Sequence, residues 1–393
     1  MVISSYRFFL LSLAIANVSA VKHALFVGNL NAPASIYALE FDDETFDFQM
    51  TNNITADASH SWITFNHDKT NIYGTSNIAP RIASYAITSN KTLKLVKLIS
   101  ADKTCANHTS AFVVTSPQAP YHVITGAWPG PNACGMSFNV TQSGTLDRVV
   151  DSWAYANKSG VHGLALGRSN DDSNSDTLYS ADLNGDAIWT HQISREDGHA
   201  QYVGKIGVKA GSHPRHLAAH PNGQRLYAVM EAGNRVAAFP IDQTTATVED
   251  EESTFSLIPD SEFDVDSTIS NYWSAEVMLS ANARFLWATA RAQVNTRIPG
   301  YISAFLLDEQ GAIVKRMFRV PTTTVAGIAN AVSPAPWGSE WAALTDVFTG
   351  YVQIWKMADK TEGSYGTEYA TADAVARVDI PDGGCCANAI WYN

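Results

Sequence analysis

Four polar residues have side chains suited to binding and protonating a carboxylic acid. They are His162, which precedes a glycine, Arg215, which follows a proline, Glu231, which lies sixteen residues after Arg215, and Arg291, which follows a short apolar run. A guanidinium group binds a carboxylate through paired N–H donors, and a histidine or glutamate can transfer a proton near neutral pH. We assign His162, Arg215 and Glu231 as candidate catalytic residues and Arg291 as a candidate substrate-binding residue. The ligand that suits this set is a small anionic carboxylate.

Each of these residues also has a structural interpretation. Arg215 and Glu231 could form a salt bridge across a hairpin, an arrangement that can coexist with substrate binding. Glu231 could also be an exposed acid at a strand end, and His162 could hydrogen-bond within a turn. Histidines without evident partners in the sequence pattern are interpreted as structural: His60, His108, His213 and His220.

A repeat of four short apolar runs must position these side chains. The clearest copy begins at His213 and predicts strands at 217–220, 225–230, 235–241 and 253–258, with a Pro-Asn-Gly turn after the first. Similar copies precede and follow it, and their first strands start near 61, 110, 162, 215, 275, 330 and 388. Outside residues 1–20, no window of twelve residues has a helical period. The chain is therefore predicted to be nearly all β.

The two ends of the chain complement one another. The segments HALFVGNL, SIYALEFD and TFDFQM match the second, third and fourth strands of a unit, and the C-terminal CCANAIWYN matches a first strand. A β-sandwich does not predict such complementary fragments. We therefore predict an all-β, seven-bladed β-propeller with four-stranded blades, closed by pairing of the C-terminal strand with the N-terminal blade. Residues 21–393 are expected to form this single domain.

In such a ring, the starts of the first strands lie beside the ends of the second strands, at one mouth of the central channel. Polar residues at predicted first-strand starts are His60, His162, Arg215, Glu276, Asn330 and Asn388, and those at second-strand ends are Asp182, Glu231, Arg291 and Asp346. The segment 182–186 resembles the opening of a calcium loop. Ile193 stands where that loop needs a glutamate, so a hairpin turn is the better interpretation.

Composition limits the partners and the location of the protein. Apolar residues make up 46% of the 393 residues, charged residues 16% and aromatic residues 10%, which excludes a disordered chain. The formal net charge is −12 with no basic block, so nucleic acid and anionic membrane surfaces are not expected partners. The first twenty residues, MVISSYRFFLLSLAIANVSA, have the pattern of a secretory signal peptide cleaved after Ala20, although a buried helix is an alternative. We expect a secreted protein.

Two further features agree with secretion. Acceptor triplets for N-glycosylation occur at Asn53, Asn90, Asn107, Asn139 and Asn157. Of the four cysteines, Cys105 and Cys134 are predicted to form a disulfide because their bridge closes a loop within one repeat unit. The adjacent Cys385 and Cys386 could bridge each other or stay reduced. No spacing of Cys and His resembles a zinc site, and no cofactor is expected.

Several segments carry a family resemblance. VHGLAL, LYSADLNGDAIWTH, GSHPRHLAAHPNGQRLYAVMEAGNR, ANAVSPAPW and NAIWY resemble the corresponding segments of the fungal 3-carboxy-cis,cis-muconate lactonizing enzymes, or carboxymuconate cyclases. These are seven-bladed propellers of the lactonase superfamily. The similarity runs over essentially the whole chain after residue 20. It implies that the active-site His, Arg and Glu of that family fall on His162, Arg215 and Glu231, and its second Arg on Arg291.

This chain departs from the family pattern in two ways. Ile328, in the segment 327–330, stands where the family has a histidine, and the predicted signal contrasts with the intracellular location expected of the family. The leading hypothesis is an isomerase, an intramolecular lyase that cyclises an unsaturated polycarboxylate to a lactone. The alternatives are a lactonase of the same superfamily and a non-catalytic secreted propeller that binds a ligand.

Overall fold

The computed structural model describes residues 21–168, 174–263, 271–293, 298–325, 331–347, 349–359 and 368–393. Within these ranges the chain forms 28 strands in seven four-stranded antiparallel sheets. The only helical element there is a single 3₁₀ turn, Asp260–Glu262. The predicted all-β, seven-bladed propeller is confirmed. No helix in the described ranges is long and apolar enough to span a bilayer.

The blades are numbered in chain order, and their strands are given from the channel outward. Blade 1 consists of β28 (Cys385–Trp391), β1 (Lys22–Asn29), β2 (Ser35–Asp42) and β3 (Phe48–Thr55). Blade 2 consists of β4 (Ile63–Phe65), β5 (Asn71–Gly74), β6 (Arg81–Ile87) and β7 (Leu93–Ser100). Blade 3 consists of β8 (Ser110–Thr115), β9 (Val123–Ala127), β10 (Cys134–Val140) and β11 (Leu146–Ala154). Blade 4 consists of β12 (Val161–Gly167), β13 (Ser175–Asp182), β14 (Ala187–Ser194) and β15 (Ala200–Gly207).

The remaining three blades follow the same order. Blade 5 consists of β16 (Pro214–Ala219), β17 (Arg225–Met230), β18 (Arg235–Pro240) and β19 (Ser253–Ser256). Blade 6 consists of β20 (Tyr272–Leu279), β21 (Phe285–Ala292), β22 (Pro299–Leu307) and β23 (Ile313–Val325). Blade 7 consists of β24 (Val332–Pro334), β25 (Trp341–Asp346), β26 (Tyr351–Asp359) and β27 (Ala370–Asp379).

Blade 1 is assembled from both ends of the chain, as the sequence predicted. β28 pairs antiparallel with β1, where Trp391 lies opposite Leu25 and Ile390 lies opposite Phe26. The indole Nε1 of Trp391 also donates to the carbonyl of Ser333, at 3.0 Å, and this bond ties blade 1 to blade 7. The innermost strands of neighbouring blades contact one another around the whole ring. This closure leaves no blade with an open inner edge.

The core of the protein lies between the blades. Seven clusters of buried apolar side chains occur among the described residues, and each contains residues from two neighbouring blades. The second strands are buried almost throughout because both of their faces are covered, as in β17 and β25. The outermost strands are largely exposed, and Lys94 and Lys97 on β7 protect that edge against pairing with another chain.

The cysteines pair within the blades. Cys105 and Cys134, which are 29 positions apart in the sequence, form the predicted disulfide beside β10. Cys385 and Cys386, whose pairing the sequence left open, are bonded to each other at the start of β28. The five glycosylation acceptors are accessible: Asn53, Asn90, Asn107 and Asn157 are exposed and Asn139 is half-buried. Their occupancy stays a prediction.

Deletion of residues 385–393 is expected to prevent folding rather than to remove a tail. The deletion would expose an edge of β1 and remove Trp391 and its neighbours from the core between blades 1 and 7. Circular dichroism should show no cooperative thermal transition. The control is Asn393→Ala, which removes only the side-chain hydrogen bonds to Ala24 and Lys22 and should cost about 1–2 kcal/mol. A soluble deletion variant that melts cooperatively would contradict the closure.

Candidate active site at the channel mouth

A cavity of about 490 Å³ lies at one end of the central channel. Its ionisable side chains come from blades 4, 5 and 6: His162, Arg215, Glu231 and Arg291, with His216 beside them. Blades 2 and 3 contribute the large aromatic side chains Trp62 and Trp128. The cavity therefore has a charged side and an aromatic side, and all four predicted site residues lie on the charged side. Their catalytic and binding roles stay predictions.

The inner strands of blades 4, 5 and 6 each contain a β-bulge. In β12 the extra residue is His162, and the irregular pairing covers residues 215–216 in β16 and 275–276 in β20. Adjacent residues of a regular strand point to opposite faces, whereas a bulge re-aims a side chain. This is why Arg215 and His216, although adjacent in sequence, both line the cavity.

Close packing of β12 against β16 explains why a glycine, Gly163, follows His162. A Cβ atom at this position would lie 2.4 Å from the carbonyl oxygen of Arg215 and 2.8 Å from the Cα of His216. Any larger residue would push β12 away from β16. The glycine therefore permits the close approach of the two strands that brings the His162 ring beside blade 5.

Glu231 joins the two arginines. It lies directly after β17, where its backbone N–H donates to the carbonyl of His213 at 2.8 Å. Its Oε2 lies 2.9 Å from Nε of Arg215 and accepts a hydrogen bond of 2.9 Å from Nη2 of Arg291. The predicted salt bridge across the hairpin of blade 5 is thus present, and it extends to blade 6. Two guanidinium groups share one carboxylate, which leaves one positive charge of this trio uncompensated.

Arg291 has unused hydrogen-bonding capacity. Its residue is 5% exposed, and its Nε and Nη1 have no hydrogen-bond partner among the described residues. Burial, reinforced by the nearby Arg215 guanidinium, lowers the pKa of Arg291 to about 9, so it stays charged at neutral pH. The ring of Trp273 lies 5.4 Å from its Cζ and covers one face of the guanidinium. Buried donors of this kind require an acceptor, and an anionic ligand in the cavity would supply one.

Arg215 is held more firmly than Arg291. It is 8% exposed, and its Nη1 donates to the carbonyl of Ala275 on blade 6. Burial lowers the pKa of Arg215, an effect opposed by the carboxyl groups of Glu231 and Glu276. The side chain is therefore fixed between blades 5 and 6 before any ligand binds.

His162 is linked to two further buried groups. Its Nδ1 lies 3.0 Å from Nε2 of His216, and Nδ1 of His216 lies 2.7 Å from Oε2 of Glu276. Burial, reinforced by the arginines, lowers the pKa values of both histidines well below the usual range, so both rings are neutral at physiological pH. Burial raises the pKa of Glu276 to about 8, although Arg215 opposes the shift. The three side chains form a continuous buried chain that starts at the cavity.

Aromatic rings enclose these imidazoles. Trp62 and Phe112 stack at 4.0 Å between ring centroids, and the centroid of His216 lies 4.9 Å from Trp62 and 5.0 Å from Phe112. The centroid of Trp128 lies 5.2 Å from that of His162. These rings cover part of each imidazole and offer a flat apolar surface to the carbon skeleton of a ligand.

Several predicted channel-mouth residues have other roles. His60 is buried and hydrogen-bonds to Thr75 and Tyr85, so its structural interpretation is correct. Asp182 caps a turn through Ser159 and Gly160, and its segment forms the β13–β14 hairpin. Asp346 accepts from the N–H of Thr349 in the turn after β25. His60, Asp182 and Asp346 do not line the cavity, because turns and strand contacts hold their side chains, although Asp182 lies opposite Val161 at the start of β12 as expected.

Of the other residues predicted at the channel mouth, one lines the cavity, one lies in the middle of its strand, and one is outside the described residues. Asn388 lines the cavity, but its side-chain amide binds the backbone of Ile63. Its Oδ1 accepts a hydrogen bond of 2.8 Å from the Ile63 N–H, and its Nδ2 donates one of 2.9 Å to the Ile63 carbonyl. Glu276 lies in the middle of β20 rather than at its start, because β20 begins earlier, at Tyr272. Ile328 and Asn330 lie outside the described residues, as do residues 1–20.

Sequence reasoning missed His216 and the contact that Glu276 makes with it. His216 adjoins Arg215, and strict alternation along a strand would send one of the two away from the channel. Alignment of the segments VHG, PRHL and SAEV, which contain the bulges of blades 4, 5 and 6, would have placed both residues beside His162. Within the described ranges, no group of three His, Cys, Asp or Glu side chains could hold a metal ion.

Comparison with known proteins agrees with this architecture. The model of the family "Lactonase, 7-bladed beta-propeller" matches residues 24–326. The chain is 33% identical over 384 residues to the carboxy-cis,cis-muconate cyclase of Neurospora crassa, covering 94% of this chain and 99% of that protein. The chain belongs to the seven-bladed lactonase family.

Other similar proteins have lower identity to this chain. Muconate cycloisomerase 1 of Cutaneotrichosporon cutaneum is 27% identical over 86% of this chain and 91% of its own length. Among solved structures, a putative 6-phosphogluconolactonase from Bacteroides fragilis has a TM-score of 0.72 at 18% identity, over 95% of this chain and 98% of that one. The periplasmic gluconolactonase PpgL of Pseudomonas aeruginosa has a TM-score of 0.71 at 16% identity, over 94% and 99% of the two chains. These two structural likenesses concern the fold.

Replacement of Glu231 tests whether the two arginines form an anion site. In Glu231→Gln the guanidinium groups lose their shared carboxylate, so unfolding without ligand should become easier by about 3–5 kcal/mol. Citrate serves as a polycarboxylate probe. It should raise the Tm of the variant more than that of the wild type, because the variant has no Glu231 carboxylate that competes with citrate for the two arginines. Differential scanning fluorimetry measures both effects.

The control for this experiment is Glu252→Gln, which removes a more exposed carboxylate paired with Arg225. It should leave both the Tm and the response to citrate close to those of the wild type. A citrate response in Glu231→Gln that is weaker than in the wild type would show that the arginines do not bind anions at this site.

Proposed function

We propose that this protein is an intramolecular lyase that cyclises an unsaturated polycarboxylate of the 3-carboxy-cis,cis-muconate type to a lactone. The observation that carries the proposal is Arg291, which lines the cavity and has two buried donors without a partner among the described residues, beside the Arg215–Glu231 pair and His162. The activity named for the Neurospora crassa relative, which is 33% identical over nearly its whole length, supports the same reaction class.

Binding would begin with the arginines. One substrate carboxylate would accept a hydrogen bond from Nη1 of Arg291, which no described residue uses. The conjugated carbon skeleton would then lie against Trp62 and Trp128 on the aromatic side of the cavity. This orientation directs the reacting double bond toward His162, whose ring lies beside that of Trp128.

The reaction needs no nucleophile from the protein. An oxygen of a second substrate carboxylate forms a C–O bond with one carbon of the neighbouring double bond. The electron pair of that double bond moves to the adjacent carbon and onto the carboxylate attached to it, where Arg215 and Arg291 stabilise the charge. A proton is then added to carbon. The trianion becomes a dianionic lactone, so each turnover takes up one proton.

His162 is the donor that the geometry favours over Glu231. Its Nδ1 is occupied by His216, while Nε2 has no partner among the described residues and belongs to a ring that lines the cavity. Glu231 is bound by two guanidinium groups and serves to balance their charge. Attack of water on the carbonyl carbon of a lactone held in the same cavity would instead break the acyl C–O bond and give a hydroxy acid. The test therefore includes lactonase activity as a second reaction.

Turnover is predicted to depend on His162 and Arg291 in different ways. With 3-carboxy-cis,cis-muconate, loss of the diene absorbance should report cyclisation. His162→Gln should lower kcat by about 10²–10⁴ with little change in KM, because it removes proton transfer. Arg291→Lys keeps the charge but loses the planar pair of donors, so KM should rise about ten- to one-hundredfold.

Glu252→Gln again serves as the control, and a lactone substrate is tested in parallel. Hydrolysis of the lactone without cyclisation of the diene would favour the lactonase alternative. Anion binding without turnover of either substrate would favour a non-catalytic binding propeller and contradict the proposal.

We further propose that the protein is secreted after cleavage behind Ala20. The apolar N-terminal segment, the accessible acceptor asparagines and the Cys105–Cys134 disulfide support this location. Mass spectrometry of the protein from culture medium should give an N-terminal peptide that starts at Val21. A native product that keeps residues 1–20 would contradict the proposal.

A further inference from the structure

A line of three side chains runs from the cavity into the interior of the channel. His162, His216 and Glu276 come from β12, β16 and β20, and each lies in the bulge of its strand. The distances along the line are 3.0 Å from His162 to His216 and 2.7 Å from His216 to Glu276. Both contacts are within hydrogen-bonding range, so three neighbouring blades build one continuous hydrogen-bonded path.

The direction of the hydrogen bonds follows from Glu276. Its Oε1 accepts a hydrogen bond of 3.1 Å from the backbone N–H of Val277, so the proton of the neutral carboxyl group lies on Oε2. Oε2 lies 2.7 Å from Nδ1 of His216 and donates to the single lone pair of that nitrogen. The proton of the neutral His216 ring then lies on Nε2 and is donated to Nδ1 of His162. This leaves the proton of His162 on Nε2.

Burial agrees with this arrangement of protons. Glu276 is 2% exposed and its pKa is raised to about 8, so the carboxyl group is protonated at neutral pH. The pKa values of His162 and His216 are lowered, so neither ring carries an additional proton. A neutral imidazole can give up the proton on Nε2 only if it receives another on Nδ1. His162 alone is thus a poor acid, and it needs the groups behind it.

We propose that Glu276, His216 and His162 form a proton relay that supplies the proton taken up in cyclisation. This inference rests on the proposed function. The Nε2–H bond of His162 breaks as a C–H bond forms on the substrate, and Nδ1 of His162 takes the proton from Nε2 of His216. Nδ1 of His216 takes the proton from Oε2 of Glu276, which becomes a carboxylate. No oxidant, reductant or other reactant is needed.

The surroundings allow the relay to be reset. The charged groups that face it are Arg215, Glu231 and Arg291, and Arg215 stabilises the carboxylate that Glu276 becomes. After the product leaves, water in the cavity protonates Nε2 of His162. Nδ1 of His162 then returns a proton to Nε2 of His216, and Nδ1 of His216 returns one to Oε2 of Glu276, which restores the starting positions of all three protons.

The Glu276→Gln variant separates proton supply from positioning. The glutamine amide can still donate a hydrogen bond to His216, but it cannot release a proton to it. We expect kcat on 3-carboxy-cis,cis-muconate to fall about 10²–10⁴-fold while KM and citrate binding stay unchanged. In the wild type, kcat should also decline as the pH rises through about 8, because ionised Glu276 has no proton to give. The variant should lack this decline.

A measurement on the wild type keeps the relay testable if the variant does not fold. When kcat is measured in mixtures of H₂O and D₂O, its plot against the fraction of deuterium should be curved, because several protons move in one step. Transfer of a single proton would give a linear plot. Glu252→Gln, the matched change at a remote carboxylate, should retain the wild-type kcat, pH profile and curvature.

The outcomes distinguish the relay from the proposed function. Full kcat in Glu276→Gln with an unchanged pH profile, or a linear isotope dependence in the wild type, would overturn the relay and leave the cyclase proposal standing. Absence of turnover in the wild type would overturn the proposed function, and the relay with it. A kcat loss confined to Glu276→Gln, with unchanged KM and a curved isotope dependence, supports both.

Discussion

The antiparallel pairing of β28 with β1 is the constraint on which the rest of the structure depends. It completes blade 1, brings Trp391 into the core between blades 1 and 7, and fixes the inner strands of all seven blades around one channel. Residues that are about sixty positions apart in sequence, such as Arg215 and Ala275, then become neighbours through equivalent places on adjacent inner strands. A site assembled from three blades has no local stability of its own. The geometry of the site depends on the closed ring, and the site would be lost if the ring opened.

The site also contains an electrostatic conflict that the fold tolerates. Arg215 and Arg291 are both buried and share Glu231, so the trio keeps one uncompensated positive charge in a protein whose formal net charge is −12. Burial of a charge without a full complement of partners is unfavourable for folding. A ligand that brings a carboxylate relieves that cost, so binding energy is available from groups that the folded protein already holds in place. Glu231 therefore preserves the site between ligands and limits how tightly an anion binds.

The sequence predicted more of the fold than of the site, for a physical reason. Alternating apolar runs, turn residues and the complementary termini determine seven blades and their closure, and these features are local or repeated. His162, Arg215, Glu231 and Arg291 were found because they stand at the ends of such runs and in family motifs. His216 was missed because a bulge interrupts the alternation of side chains between the two faces of a strand, and no single residue type in the sequence indicates a bulge. His60, Asp182 and Asp346 do not contribute to the cavity because neighbouring turns and strands use their side chains, and those contacts cannot be read from the sequence pattern.

The shared bulge on the inner strands has a consequence for how such a channel can diversify. The inner strand of blade 3 has the same irregularity at Ala111, which also lines the cavity but carries no functional group. The bulge residues of blades 3, 4 and 5 thus line the cavity, and Glu276 in the bulge of blade 6 lies behind them, while the flanking residues keep each strand paired. The side chain at such a position can differ from blade to blade without a change in the pairing of the strands. In this chain the bulges of three adjacent blades hold the groups of the proposed proton relay, and the bulge of blade 3 holds only a methyl group.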